Sequence, residues 1–579
     1  MALLRTAGLC RLALRTHWAA VRLLSSAAGG EPSAGEAPPG RRVDLEALRR
    51  ERTLRPPAAW PVPASPEVGF SPSRPSREQV QLNRALTTCD DVNDVLDLVV
   101  ARWPLLNCVT VSTALSVIAR LLGKREPALW LKDDERFRQL MRGALLLFER
   151  QEMDAQGFSN VFYACGQLGI VPPKSWLRVY WERSPSVIGA FKPQELSNTI
   201  YACGQLGITP PADWLERFWH ASAVKLGDFV PQALSNTLYA CGLLGLAPPA
   251  DWLGRFWHAS ALKLSDFIPQ NLSNTLYACG QLSIVPPDYW LHRFWIASAV
   301  KLEGFIPQHF SNTIYACGLL ASTPPPDWMQ RFWQASAATL GDFTPQALSN
   351  TLLACGLLDT KPPPNWLQRF SSGCEQALSG MKQQELANTA LALAMLQLWD
   401  LTLWRGLWER LCRSLSRDVA GWSSEDRLGA MQLYQALRAA AVERPGLLLA
   451  PTPELLAAAR KSWIDQVRDG GDYLQTGRFH DDVSAYLTRM GVAHANERWC
   501  DRAERRIDIV IEGTTPPVAL EVDGPSHFLQ DGRPDGSTLL RNRMLAAHGW
   551  RVVVVDFRAW IAQKTLEQRE EYLRRLLAS

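Results

Sequence analysis

Asp508, Glu521 and Asp523 stand in two short segments of alternating hydrophobicity, Arg506–Ile511 and Val518–Asp523, with His527 four residues beyond. Alternation at period 2 predicts two strands, and Glu512–Pro517 between them predicts a hairpin loop. If Ile511 pairs with Val518, Asp508 lies opposite Glu521 with Cβ atoms about 5 Å apart. Glu521 and Asp523, two residues apart, share a face of their strand. Three carboxylates meeting on one face repel one another unless a cation is present or a proton is shared. The elements that must position them are a helix over Phe479–Met490, a strand near Val492–Trp499, a helix carrying Leu540, Arg541 and Met544, a strand Arg551–Val555 and a terminal helix.

A second constellation is spread over the middle of the chain. An asparagine recurs at Asn160, Asn198, Asn236, Asn274, Asn312, Asn350 and Asn388, and a tryptophan at Trp176, Trp214, Trp252, Trp290, Trp328, Trp366 and Trp404, every interval being 38 residues. Two locked series of this length predict a helical-repeat array in which no unit buries its face alone. Each unit opens on prolines and a tryptophan helix, then starts a second helix at a further proline, as at Pro269. On the first helix, Trp252, Leu253, Phe256 and Trp257 share one arc, which places the tryptophans in the core, while Asp251, Gly254, Arg255 and His258 fall opposite.

That opposite arc carries Arg217, Arg255, Arg293, Arg331 and Arg369 in five successive units, with Val179 breaking the series before them. Its neighbours change from unit to unit: Arg178, Glu216, Gly254, His292, Gln330 and Gln368 just before the arginine slot, and Glu182, His220, His258, Ile296, Gln334 and Ser372 one turn later. A fixed cation beside varied hydrogen-bonding groups suits phosphate holding plus base reading. A solvated face that drifts because nothing constrains it gives the same pattern. The repeated asparagine sits in an otherwise apolar helix, where its amide needs partners; a bond to the neighbouring unit's backbone is the structural expectation, and direct contact with a ligand is the alternative.

Composition limits the alternatives. The chain has 579 residues, 47% hydrophobic and 20% charged, so more than one domain is expected and a generally disordered chain is excluded. No apolar run is long enough to span a membrane. The formal charge of +4 is accounted for by Arg5, Arg11, Arg15 and Arg22, so bulk charge does not argue for nucleic acid. Those arginines, with no acid among residues 1–30, predict an organellar transit peptide, mitochondrial matrix slightly ahead of chloroplast stroma. Residues 31–79 are rich in proline and predict a linker without a core. Six of the 12 cysteines, Cys165 to Cys355, occupy one repeat slot and predict buried packing rather than disulfides or zinc.

The unit closely resembles the octotricopeptide repeat, with Pro210-Pro211-Ala212-Asp213-Trp214 and Pro231-Gln232-Ala233-Leu234-Ser235-Asn236-Thr237-Leu238 carrying the likeness. It departs in having Tyr-Ala-Cys-Gly where that family more often has Trp-Ala-Leu-Ala. Leu520-Glu521-Val522-Asp523-Gly524-Pro525-Ser526-His527-Phe528, with Gly549-Trp550 and Trp560, resembles a RAP domain of restriction-endonuclease-like fold. These resemblances imply a mainly α protein: a right-handed-type α-solenoid of 38-residue helical pairs followed by a small α/β domain. The implied domains are degenerate helical repeats over 80–157, regular repeats over 158–437, a linker or helix over 438–469 and the RAP domain over 470–579.

The repeat family's members are organelle-targeted RNA-binding proteins. The implied function is therefore sequence-specific binding of single-stranded organellar RNA in its processing, stabilisation or translation, with no cofactor needed and no membrane or small-molecule partner. Contacts are expected at the five arginines and at Arg178, Glu216, His220, His258, His292, Gln330, Gln334 and Gln368. Two rivals follow. The nuclease fold implies Mg²⁺ held by Asp508 and Glu521, with Asp523 and His527 completing a catalytic site for a repeat-guided ribonuclease. That fold usually has lysine where Asp523 stands, and Arg541 is the nearest substitute. The other rival is a scaffold within an organellar ribonucleoprotein or ribosome.

Overall fold

The structure, a computed structural model, describes residues 76–123, 128–447, 451–468 and 478–578. The leader expected over residues 1–30, and the linker as far as residue 75, lie outside the described residues. The first helix, Arg77–Thr87, takes in the last three residues of that expected linker. Ser76 and Gln79 form a capping box there, which fixes the boundary.

The chain divides into two compact bodies, residues 76–282 with 286–297, and residues 298–578 with 283–285. Both contain helical pairs. In the first body the first helices are Lys174–Arg183, Ala212–Ala223 and Ala250–Ala261, and the second helices are Ala155–Leu168, Pro193–Leu206, Pro231–Leu244 and Pro269–Leu282. In the second body the first helices are Pro326–Thr339, Pro364–Ala377 and Leu403–Leu415, and the second helices are Pro307–Leu320, Pro345–Leu357, Gln383–Met395 and Ser424–Glu443.

Residue size makes each repeat a wedge. Successive second helices meet through the Ala-Cys-Gly segment: a Cβ at Gly204 would lie 3.1 Å from Ala240 Cα, and one at Gly242 would lie 3.1 Å from Ala278 Cα. Gly318 meets Ala354 in the second body in the same way. Successive first helices are instead held apart by the tryptophans. Trp214, Trp252 and Trp290 are buried, and each indole N–H donates to a serine of the preceding first helix: Ser184 at 3.0 Å, Ser222 at 2.9 Å and Ser260 at 2.9 Å. Trp328–Ser298 and Trp366–Ser336 continue the pattern in the second body. Each bond satisfies a donor that would otherwise be buried alone. The repeated cysteines are buried free thiols, as packing predicts.

At three steps in the first body the bond from a second helix to its neighbour is made by serine, not by the asparagine beside it. Ser159, Ser197 and Ser235 donate to the carbonyls of Glu195, Ala233 and Asn271 at 3.0, 3.0 and 3.1 Å. One residue along a helix is a 100° turn, which aims the serine at the adjacent helix and the asparagine outward. Lys225 and Lys263 add a further tie, each ammonium donating to two carbonyls of the preceding unit at 2.6–2.7 Å.

The C-terminal part of the second body is a four-stranded sheet with helices. In chain order these are α1 (Arg478–Arg489), β1 (His494–Cys500), β2 (Arg505–Ile511), β3 (Val518–Asp523), α2 (Gly536–Ala547), β4 (Arg551–Asp556), α3 (Phe557–Ala562) and α4 (Leu566–Ala578). The sheet order is β1-β2-β3-β4, antiparallel except for the parallel β3–β4 pair that α2 connects. Ile511 pairs with Val518, the register expected from the alternation. Ile509, Ile511, Leu520 and Val555 pack with Val483 and Leu487 of α1 and Leu573 of α4.

This sheet domain is seated on the repeats of its own body. Arg543 on α2 pairs with Glu443 at 2.8 Å and donates to the Ala394 carbonyl at 2.9 Å, in the negative last turn of its helix. The Gln530 N–H donates to the Ala321 carbonyl at 2.8 Å, and Gly536 lies against the Gly356 carbonyl, where a Cβ would overlap. Buried Glu504 accepts from Tyr434 and Arg460, each at 2.6 Å.

If close approach of second helices sets the wedge, Gly242→Val should lower stability by about 1–3 kcal/mol through overpacking. Gly254→Ala, on an exposed first-helix face with open space around it, should instead raise it by about 0.5–1 kcal/mol. Chemical denaturation of the two variants checks both signs.

Candidate nucleic-acid interface

The first-helix stripe is exposed throughout. Arg217, Arg255, Arg293, Arg331 and Arg369 face solvent, as do Arg178, Glu216, His220, His258, His292, Gln330, Gln334 and Gln368. Trp214, Phe218, Ala221 and Ser222 bury the opposite arc of their helix, so the stripe points away from the second helices. The first three arginines belong to the first body, the other two to the second.

The arginines are not equally free. Arg217, Arg255 and Arg331 make no hydrogen bond or ion pair to another described residue. Arg293 and Arg369 each give one N–H to the preceding first helix, to the Ala261 and Ala337 carbonyls at 3.3 Å. A guanidinium has five N–H donors, so both keep donors for a phosphate. Arg178 pairs with Glu182 at 3.3 Å in a well-exposed contact worth little. Val179 is buried, which is why the arginine series cannot start one unit earlier.

The repeated asparagines belong to a second row, whose glutamines and tyrosines attention to charge missed. On the second helices of the first body, Asn160 and Tyr163, Gln194, Asn198 and Tyr201, and Gln232, Asn236 and Tyr239 form the arc turned away from the first helices; the asparagines and tyrosines are half-buried. Their i, i+4, i+7 spacing repeated every 38 residues was the signal available. The tyrosine slot is already buried at Tyr277 and at Tyr315 of the second body, and it then becomes Leu353 and Leu391, both fully buried. There α2 of the sheet domain packs against these second helices.

In the sheet domain the three carboxylates do converge, on Arg541. Its guanidinium grips Asp523 with two bonds of 2.9 and 2.8 Å and reaches Glu521 at 3.2 Å. Asp508 is half-buried and accepts from the Val522 N–H at 2.8 Å. His527 stands 3.4 Å from Asp523 and 3.2 Å from the Thr538 hydroxyl. Burial pushes Glu521 up to about 8 against the pull of Arg541, and burial also raises Asp508. Asp523 is buried too, yet Arg541 holds it below the usual carboxylate range. Burial lowers His527 despite the nearby Asp523. The repulsion is thus relieved by a resident cation and by a proton on Glu521.

The arrangement does not fit the Mg²⁺ expected on Asp508 and Glu521. Arg541, itself buried, already supplies the positive charge between Glu521 and Asp523. Among the described residues no group of three or more His, Cys, Asp or Glu side chains is placed to hold a metal ion.

Comparison with known proteins finds separate matches for the sheet domain and for the repeats. Residues 520–576 match the RAP domain family model. Residues 112–282 match the C-terminal domain of the Tbc2 translation factor and residues 253–404 its N-terminal domain. The two matches overlap and run in reversed order, as expected when what matches is the repeat itself. A RAP domain-containing protein, chloroplastic, of Oryza sativa subsp. japonica is 27% identical over 179 residues, 31% of this chain. The chain spans about a quarter of that relative's length, 27%. Among solved structures, a crystal structure of an engineered protein aligns with 67% of this chain and 98% of its own at 10% identity and a TM-score of 0.16, too weak a likeness to bear on the fold.

Two outcomes test the acid cluster. Arg541→Ala strands buried carboxylates and should cost about 3–5 kcal/mol, measured by chemical denaturation. Glu521 titrates near 4.5 when unfolded and near 8 when folded, so between those values the folded state holds a proton that the unfolded state has released. Its contribution to stability is therefore complete below pH 4.5 and falls as pH rises toward 8. Melting temperatures across that range should decline less steeply for Glu521→Gln than for the unsubstituted protein.

Proposed function

We propose that this helical-repeat protein, whose C-terminus is a RAP domain, is an organellar single-stranded RNA-binding protein that acts after transcription. The observation that carries the proposal is the exposed arginines, Arg217, Arg255 and Arg293 in the first body and Arg331 and Arg369 in the second, set beside side chains that vary from unit to unit. In this reading the arginines hold phosphates and the variable neighbours, from Glu216 to Gln368, discriminate bases. The likeness to a translation factor favours translation among the post-transcriptional steps. The chloroplastic relative supports an organelle but gives no weight to the slight mitochondrial preference drawn from the leader, so the proposal names no compartment. Among the described residues no helix is long and apolar enough to cross a membrane.

For the sheet domain we favour binding or docking over cleavage, because Arg541 sits on the carboxylates that a nuclease would turn toward a metal. Its seat on the second body's repeats, through Arg543, Gln530 and Glu504, supports a fixed position beside them.

Binding to single strands weakens with salt in proportion to the number of phosphate contacts, with a slope of about −0.7 per contact. Changing Arg217, Arg255, Arg293 and Arg331 together to Ala should make the log–log salt dependence of RNA binding shallower by about 3. Fluorescence anisotropy with a labelled organellar RNA at several salt concentrations measures this. An unchanged slope would remove the arginines from the phosphate path.

A further inference from the structure

We infer that the second-helix face of the first body is a separate base-reading track, which selects a run of one nucleotide rather than a mixed sequence. This rests on the RNA-binding reading above and concerns a different face of the repeats.

The track is built from one group of side chains used three times. Asn160, Asn198 and Asn236 are half-buried on successive second helices, and none has a hydrogen-bond partner among the described residues. A carboxamide offers one acceptor and two donors in a plane, the pattern that pairs bidentately with a base edge. One turn on, Tyr163, Tyr201 and Tyr239 are likewise half-buried. Their ring centroids are 6.4 Å apart at each step, and Tyr277 stands 6.2 Å beyond Tyr239. That step is close to twice the ~3.4 Å rise between stacked nucleotides, which allows one base per repeat against an aromatic face.

Charge sets the orientation of the strand. The four second helices of the first body contain no lysine or arginine. A polyanion laid phosphate-first on this face would find no counter-charge, so bases face the protein and phosphates face water. The wedge supports the same placing, because the close Gly–Ala contacts bring equivalent side chains of neighbouring second helices nearest together on this edge. Constancy then sets the specificity. The arginine stripe has neighbours that differ in each unit, whereas this row repeats Asn and Tyr unchanged, and identical reading units favour identical bases. The accessible row is short: Asn274 and Tyr277, at the next unit of the first body, are already buried, so three units carry the track.

The test compares twelve-nucleotide oligo-A, oligo-U and oligo-C with a mixed-sequence twelve-mer, binding to the full chain. A triple variant, Tyr163→Leu, Tyr201→Leu and Tyr239→Leu, is measured alongside; leucine occupies the same slot at Leu353 and Leu391, so the repeat accepts it. One homopolymer should bind at least roughly tenfold tighter than the mixed strand. The triple variant should lose that preference while its salt slope stays unchanged. Equal binding of all four oligonucleotides, or a preference that survives the triple substitution, overturns the track and leaves RNA binding by the arginine stripe standing. Failure of all four to bind overturns both.

Discussion

The interaction on which the rest depends is the unequal contact between neighbouring repeats. Second helices touch through glycine and alanine, first helices through a buried indole bonded to a serine. With small residues on one edge and large ones on the other, the helices cannot stack as a flat slab. Equivalent positions are therefore held in fixed rows, and a row is what a polymer can follow. Substituting Tyr-Ala-Cys-Gly for the more usual Trp-Ala-Leu-Ala of the repeat family keeps this logic, since the contact residue remains small.

Those rows sort by charge. The first-helix face carries exposed arginines and variable polar neighbours; the second-helix face of the first body has no cation and presents amides and phenols. The sheet domain handles its charge differently, by closing it in. Asp508, Glu521 and Asp523 surround Arg541, with one carboxyl keeping its proton, so a site with the outline of a metal centre is filled by a side chain. The repeats thus present two chemically distinct surfaces, and the sheet domain a closed ion cluster.

Much of this was legible in the residues. The 38-residue pitch, the buried tryptophans, the exposed arginine arc and the pairing of Ile511 with Val518 all follow from local periodicity, which needs only neighbouring positions. What was not legible depends on contacts between distant parts of the chain. Arg541 reaching back to Asp523 and Glu521 requires the packing of α2 on the sheet. Arg543 meeting Ala394, across about 150 residues, requires the domain's seat on the repeats. The exchange of roles between Ser197 and Asn198 is local, but it turns on a 100° rotation that only the path of the neighbouring helix resolves. The change from Tyr315 to Leu353 at one repeat slot was visible, yet it acquires meaning only once α2 is seen packing against the leucine's helix.

Photo-crosslinking of bound single-stranded RNA, with the attached peptides mapped by mass spectrometry, addresses the central claim most directly. The account predicts crosslinked peptides from the repeats, carrying first-helix residues such as His220 and His258 or second-helix residues such as Tyr201 and Tyr239. Crosslinks confined to the sheet domain, with none on either repeat face, would contradict it.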